Sequence, residues 1–169
     1  IINYPVTRNG NGYNLVSNPY PATINWSVFQ GANSIQNAYW IFSGDAGNFL
    51  SSTNNIPHSQ GFFINANSNG NISFDVNQTV NSQASFVKSL NGINLPLSMK
   101  ITSDQNSYYD YAYIEAGSNF SSAYDSSYEI SKFYSPYPDY APNIFFLDSD
   151  SNDLDRICIN NNQDIDLFF

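Results

Sequence analysis

Gly12-Tyr13-Asn14-Leu15-Val16-Ser17-Asn18-Pro19-Tyr20-Pro21-Ala22 decides the reading of this chain. Ile56-Pro57-His58-Ser59-Gln60-Gly61-Phe62-Phe63-Ile64-Asn65-Ala66 reinforces it. Each pairs a short strand-like run with a rigid turn. Pro19 and Pro21 fix φ and drive the residues before them into extended geometry, so the chain leaves its strand at Asn18. Gly61 allows a bend or a close backbone approach just before Phe62, Phe63 and Ile64.

The same rhythm runs outward in both directions. Residues 2–7 and 13–16 read as strands around Asn9-Gly10-Asn11-Gly12, residue types that tolerate positive φ. Residues 24–29 read as a strand or a single helical turn. Ala38-Tyr39-Trp40-Ile41-Phe42 is a strand closed by Ser43-Gly44-Asp45-Ala46-Gly47, and Asn48-Phe49-Leu50 begins its partner. Residues 61–66 and 71–76 are expected to form a hairpin across Asn67-Ser68-Asn69-Gly70. Residues 94–102 alternate Leu95, Leu97, Met99 and Ile101 with polar neighbours, which implies one buried face. Residues 109–115 alternate less cleanly, and residues 121–129 include a short helical turn. Residues 143–147 and 154–160 are expected to form a hairpin across an Asp-rich turn. Turn signals every 8–12 residues or so point to a sandwich or barrel. The expected fold is all-β: one domain over residues 1–169, an antiparallel β-sandwich, jelly-roll-like, with short helical turns at most.

Composition agrees. The chain has 169 residues, enough for one well-filled core, and its hydrophobic share of 41% supports folding. That share is weighted toward 13 Tyr and 13 Phe, while charged residues make up 11%. Aromatic and β-branched residues suit a pleated, half-buried surface, and Asn, Ser, Asp and Gly suit turns. The formal charge is −9, with Arg8, Lys88, Lys100, Lys132 and Arg156 as the cations. No basic footprint exists to displace counterions from phosphates, which argues against nucleic acid, and an anionic membrane surface repels such a chain. No stretch of about 18 apolar residues is present to insert in a bilayer. Cys158 is the one cysteine, so neither a disulfide framework nor a thiolate metal cluster is expected. Its setting, Arg156-Ile157-Cys158-Ile159, suits a buried strand residue better than a nucleophile. The first residues read as a strand already under way, and Asp164-Ile165-Asp166-Leu167-Phe168-Phe169 as another. The chain is therefore expected to be a segment of a longer modular protein, with export signals outside it.

The opening stretch resembles a motif of β-rich domains in secreted and surface proteins of Bacteroidetes-type bacteria, found upstream of a type IX secretion sorting domain. There the motif reads Gly-Trp-Asn-Leu-Val-Gly-Asn-Pro-Tyr-Pro-Ser; here Tyr13, Ser17 and Ala22 replace its Trp, second Gly and Ser. His58 and Ser59 stand where the second motif has Pro and Gly. Tyr111-Ala112-Tyr113-Ile114-Glu115-Ala116, then Phe120 and Ala123-Tyr124-Asp125, resemble a later strand and loop of that family, although Ser121 replaces an Asp. Pro142-Asn143-Ile144-Phe145 and residues 154–160 resemble its closing hairpin. The resemblance implies an extracellular or cell-surface, non-catalytic module whose partners are other domains of the same polypeptide or other surface proteins. It brings no catalytic residues.

Three constellations have both a chemical and a structural reading. In Asp148-Ser149-Asp150-Ser151-Asn152-Asp153-Leu154-Asp155, the oxygens of Asp148, Asp150, Asn152 and Asp155 match the start of a Ca²⁺ loop. Asp153 and Ile159 fall where such a loop needs Gly and a bidentate Glu, and a hairpin turn with Asx hydrogen bonds accounts for the same residues. Tyr134, Tyr137 and Tyr140 lie in the Pro-rich Tyr134-Ser135-Pro136-Tyr137-Pro138-Asp139-Tyr140, which cannot bury all three as strand residues. With Tyr108, Tyr109, Tyr111 and Tyr113 they are candidates for a platform on which sugar rings stack, or else they fill the core and cross-strand pairs. A glycan-binding module attached to a polysaccharide-degrading enzyme is thus the alternative to a structural or adhesive one. His58 lacks a sequence partner that would orient it for catalysis, and a solvated turn accounts for it. The acids Asp110, Glu115, Asp125, Glu129 and Asp139 would serve glycoside hydrolysis only as a closely spaced pair.

Overall fold

The two stretches that punctuate the sequence lie side by side in the computed structural model, which describes residues 1–82, 84, 97–121 and 123–160. Asn18, 3% exposed, joins them. Its Nδ2 donates to the carbonyls of Ala22 (2.8 Å), Ile56 (3.3 Å) and Pro57 (3.0 Å), and its Oδ1 accepts the Tyr20 amide at 2.9 Å. The prolines end one strand, and the Asn fastens the resulting corner to the neighbouring turn.

In chain order the elements are β1 (Ile2–Val6), β2 (Tyr13–Ser17), β3 (Thr23–Ile24), α1 (Trp26–Gly31), β4 (Ile35–Ser43), β5 (Asn48–Ser52), β6 (Gly61–Ala66) and β7 (Gly70–Phe74). A 3-10 turn at Val76–Gln78 leads to β8 (Thr79–Val80), followed by β9 (Leu97–Thr102), β10 (Tyr109–Gly117), β11 (Ile130–Ser131), β12 (Phe146–Leu147) and β13 (Asp153–Asn160). Residues 24–29 thus divide between a strand and a short helix. Asn25 caps that helix, its Oδ1 accepting the Val28 amide at 3.2 Å.

One sheet has the order β2-β6-β4-β5, and a second has β11-β13-β10-β9 with β12 also on β13; the β1-β7 and β3-β8 pairs are separate. The first sheet is apolar on both faces. Tyr39 and Ile41 of β4, with Phe62 and Ile64 of β6, join Val6, Ile24, Trp26, Phe29, Ile72 and Phe74 in one core. Ala38 and Trp40 join Ile130 in another, with Tyr13, Phe49, Phe63 and Phe133 against it. Burial on both faces explains why these strands read as nearly continuous apolar runs rather than clean alternations. The molecule is an all-β sandwich of two sheets, with a third layer of β1, β7 and α1 on the outer face of the first.

Several expected pairings differ. The turn at residues 9–12 does not close a hairpin: β1 pairs with β7 and β2 with β6, in different layers. Nor do β6 and β7 pair across residues 67–70, because the chain changes layer there. The Asn69 side chain instead accepts the Thr7 hydroxyl (3.2 Å) and the Arg8 amide (2.6 Å), stitching the crossing to the turn after β1. The β12–β13 hairpin forms as expected, Phe146 opposite Leu154. β13 also lies parallel to β10, with Tyr113 opposite Arg156. β9 does not bury its apolar side: Leu97 is 50% and Ile101 38% exposed. Residues 94–96 and the expected terminal strand at 164–169 lie outside the described residues. The turn expected within 121–129 is hydrogen-bonded at Asp125, whose carbonyl accepts the amides of Tyr128 and Glu129. Among the described residues no helix is long and apolar enough to cross a membrane.

Candidate functional site

The Pro-rich loop carrying Tyr134, Tyr137 and Tyr140 is folded onto the β4–β5 turn. Buried Ser135 donates its hydroxyl to the Gly47 carbonyl and accepts the Tyr137 amide at 3.0 Å. The Tyr137 carbonyl accepts the amides of Tyr140 (3.1 Å) and Ala141 (2.9 Å), making one tight turn. Asn106 donates to the Tyr140 carbonyl at 3.0 Å, and Asn48 to the Pro142 carbonyl at 2.9 Å. The loop is braced from both sides, so its rings project from a fixed backbone.

The three rings do not line up in a row; Tyr137 forms a shelf with Phe42 and Tyr108. Tyr137, 45% exposed, lies 6.1 Å from Phe42 and 6.4 Å from Tyr108 between centroids, and its plane is 21° from that of Tyr108. Tyr108 rests on Gly47, whose φ is +63° and where a Cβ would come within 2.5 Å of the ring. Tyr140 is the most exposed at 69%. Tyr134 belongs elsewhere: its hydroxyl donates to Asp153, and its ring meets Phe145 edge-on at 5.9 Å. Burial and then the Asp153 carboxylate push the Tyr134 phenol up. Of the expected platform residues, Tyr108 thus lies beside Tyr137, joined by Phe42, and Tyr134 does not. Tyr109 and Tyr111 flank Lys100, whose Nζ lies 4.1 Å from the Tyr109 ring centre, a cation–π contact on β9 and β10.

The Asp-rich turn does not gather its oxygens. Asp148 accepts the amides of Asp150 (2.9 Å) and Asn152 (2.8 Å) and the Asn152 side chain (2.7 Å). Slight burial acts against ionisation of Asp148, but these hydrogen bonds win and hold its carboxyl below the usual range. Ser151 takes the left-handed conformation, φ 63°, that closes the turn. Asp155, the third residue of β13, faces the core rather than the turn and accepts the Trp40 indole. Among the described residues no three His, Cys, Asp or Glu side chains are grouped to hold a metal.

Of the acids considered for hydrolysis, Asp110 and Asp139 stand apart, while Glu115, Asp125 and Glu129 lie within electrostatic reach of Cys158. Glu115 pairs with Arg156 at 3.7 Å, Asp125 caps the Ser127 amide at 2.9 Å, and Asp139 is exposed. Glu129 accepts the amides of Asp125 (3.0 Å) and Cys158 (3.4 Å). It lines a cleft of about 280 Å³ with Leu147, Asp148, Ile157 and Cys158. Burial pushes the Cys158 thiol up to about 12, which favours the protonated form at neutral pH. His58 sits exposed in its turn.

One constellation escaped the sequence reading. Lys132, directly after β11, reaches across β13 with its ammonium wholly buried, touching Asp110 of β10 and lying 3.0 Å from Asp155 of β13. The indole of Trp40, from the facing sheet, donates to Asp155 Oδ2 at 3.2 Å. The Ile144 amide donates to Asp110 Oδ2 at 2.9 Å. Burial lifts both carboxyls, that of Asp155 to about 6. Burial alone would lower Lys132, but the two carboxylates outweigh it and hold the amine protonated. The signal in the sequence was faint: in Ile130-Ser131-Lys132-Phe133, strand alternation places Lys132 on the same inward side as Ile130.

Compared with known proteins, the chain matches no family model, no curated protein and no solved structure. The fold is a β-sandwich with an aromatic shelf beside the β4–β5 turn and a sealed lysine–dicarboxylate cluster between its strands.

Proposed function

We propose that this chain is a non-catalytic module of a secreted or cell-surface bacterial protein, structural or adhesive in role. It meets other domains of its polypeptide, or other surface proteins, through the shelf of Phe42, Tyr108, Tyr137 and Tyr140. The observation that carries this reading is the bracing of that shelf. Tyr137 and Tyr140 stand 45% and 69% exposed on a loop whose backbone is tied down by Ser135, Asn106 and Asn48. Exposed aromatic side chains on a rigid frame lose little conformational entropy on contact, which is why they anchor binding surfaces. The motif resemblance at residues 12–22 supports the extracellular setting, and the acidity of the chain is compatible with it.

The test is adhesion. Beads coated with the wild-type protein are expected to hold bacterial cells, and beads coated with the Tyr137→Ala/Tyr140→Ala double variant to hold several-fold fewer. Equal retention would remove the shelf from the account.

A carbohydrate-binding module on a polysaccharide-degrading enzyme is the second reading, favoured by the near-parallel Tyr108 and Tyr137 rings, 6.4 Å apart. Pyranose C–H faces stack on such rings. A glycan-array signal that disappears in Tyr137→Ala would select this reading, whereas a silent array alongside retained cell adhesion selects protein contact.

A further inference from the structure

We propose that Lys132 and Asp110 condense to an intramolecular amide, Nζ to Cγ, with Asp155 as the catalytic acid–base that relays the proton. This goes beyond the adhesive reading and does not depend on it.

The placement is that of a reactive complex rather than an ordinary ion pair. The side chains of Lys132, Asp110 and Asp155 are 0%, 1% and 4% exposed. Two acids share one base there, so full ionisation would leave a buried negative charge uncompensated. Burial pushes the two acids toward their neutral forms while the lysine stays protonated beside them, and ion pairs taken out of water gain little over uncharged groups of the same shape. An amide removes one ammonium and one carboxylate together.

The reacting atoms are held from every side. The Lys132 amide donates to the Asp153 carbonyl at 2.8 Å, and its own carbonyl accepts the Tyr13 hydroxyl at 3.2 Å, so the stem starts from a fixed point. Trp40 occupies Asp155 Oδ2, leaving Oδ1 toward Nζ at 3.0 Å. The Ile144 N–H on Asp110 Oδ2 is placed to hold the charge that grows on that oxygen as nitrogen adds to Cγ. Fixing amine and carboxyl in contact replaces an encounter in solution, the largest obstacle to uncatalysed amide formation.

The atoms balance without any co-reactant. A proton passes from the Lys132 ammonium to the Asp110 carboxylate by way of Asp155, giving amine and carboxylic acid. The Nζ lone pair forms the N–Cγ bond. Asp155 takes the second nitrogen proton and delivers it to the departing hydroxyl, the Cγ–O bond breaks, and one water leaves. Asp155 ends as it began. Because β13 lies between β11 and β10, the new bond straps both neighbours of that strand together over its face.

Mass spectrometry of the purified wild-type protein decides the matter. The intact chain is expected to be lighter than its sequence by one water. Trypsin should yield residues 101–156 as one fragment, uncut after Lys132 and short of that same water. Lys132→Met should run at full sequence mass. After refolding, Asp155→Asn or the milder Asp155→Glu should condense about a hundredfold more slowly than wild type, the range of general acid–base assistance. Wild-type protein at full mass and cleaved after Lys132, or a water loss confined to another fragment, would overturn the amide. Either Asp155 variant condensing at the wild-type rate would overturn the part given to Asp155.

Discussion

Phe133 lies flat on Tyr13, ring centroids 3.8 Å apart and planes 9° from parallel. Its other face carries Phe49 at 4.0 Å and again 9°, so Phe133 is the middle ring of a stack of three. Tyr13 and Phe49 belong to the first sheet, whereas Phe133 follows β11 of the second; Trp40 and Phe63 meet the stack edge-on. The two sheets are therefore joined by ring faces beside the Lys132 cluster.

Removing the middle ring should loosen that joint. Phe133→Ala is expected to cost about 3 kcal/mol, from lost apolar contact and the gap left between two rings. Urea denaturation followed by circular dichroism measures it; a loss below about 0.5 kcal/mol would mean the outer rings close up on each other.

Asn18→Ala should be nearly as damaging although it removes only a small polar side chain. Three carbonyls and one amide lose a hydrogen bond at a buried corner, the Ile56 and Pro57 carbonyls keeping the Ile24 and Gln60 amides, with an expected cost of about 1–3 kcal/mol. Asn18→Asp is a sharper probe, because it keeps the acceptor for Tyr20 and loses the donors. If thermal melts show Asp tolerated as well as Asn, the donors to Ala22, Ile56 and Pro57 are unimportant.

Gly47→Ala is expected to disturb the aromatic shelf from beneath. The left-handed backbone costs about 1–2 kcal/mol with a Cβ, and that atom would displace the Tyr108 ring. The variant should melt lower and hold fewer cells in the bead assay, whereas Gly44→Ala, where a Cβ meets nothing within 4 Å, should not.

Cys158 supplies a pH test. Burial favours the neutral thiol and lifts it to about 12, so in the folded protein the thiolate fraction at pH 8 is on the order of one in ten thousand. An unfolded cysteine, near 8.5, is roughly a quarter ionised at the same pH. Iodoacetamide should therefore label the native protein very slowly and the urea-unfolded protein quickly. The native rate should climb about tenfold per pH unit above 8. A flat native rate would show that labelling proceeds through opening rather than through the folded thiol.

How much of this was legible in the sequence depends on range. Pro19, Pro21, Gly61 and the Asp148 turn act within a few residues, and their strand ends and turns were readable as written. Partner choice was not, since nothing in residues 2–7 distinguishes β7 from β2 as a neighbour; both present alternating apolar residues. The double-sided burial of β4 was visible as a run of apolar residues, but a run says only that both faces are covered, not by what. The Lys132 cluster draws on positions 22 and 23 residues apart, in strands separated by another strand. In the sequence Asp155 reads with its neighbours as part of the turn, because side-chain alternation along β13 follows only once the start of that strand is known.

The chain has two tryptophans, and they fall on opposite sides of the first sheet. Trp26 reports on the outer layer, next to Phe29 and Tyr39, while Trp40 reports on the inner seam beside Asp155. Each thus serves as a built-in fluorophore for one boundary. Emission from single-tryptophan versions would show whether the three tiers separate at one denaturant concentration or peel away in sequence.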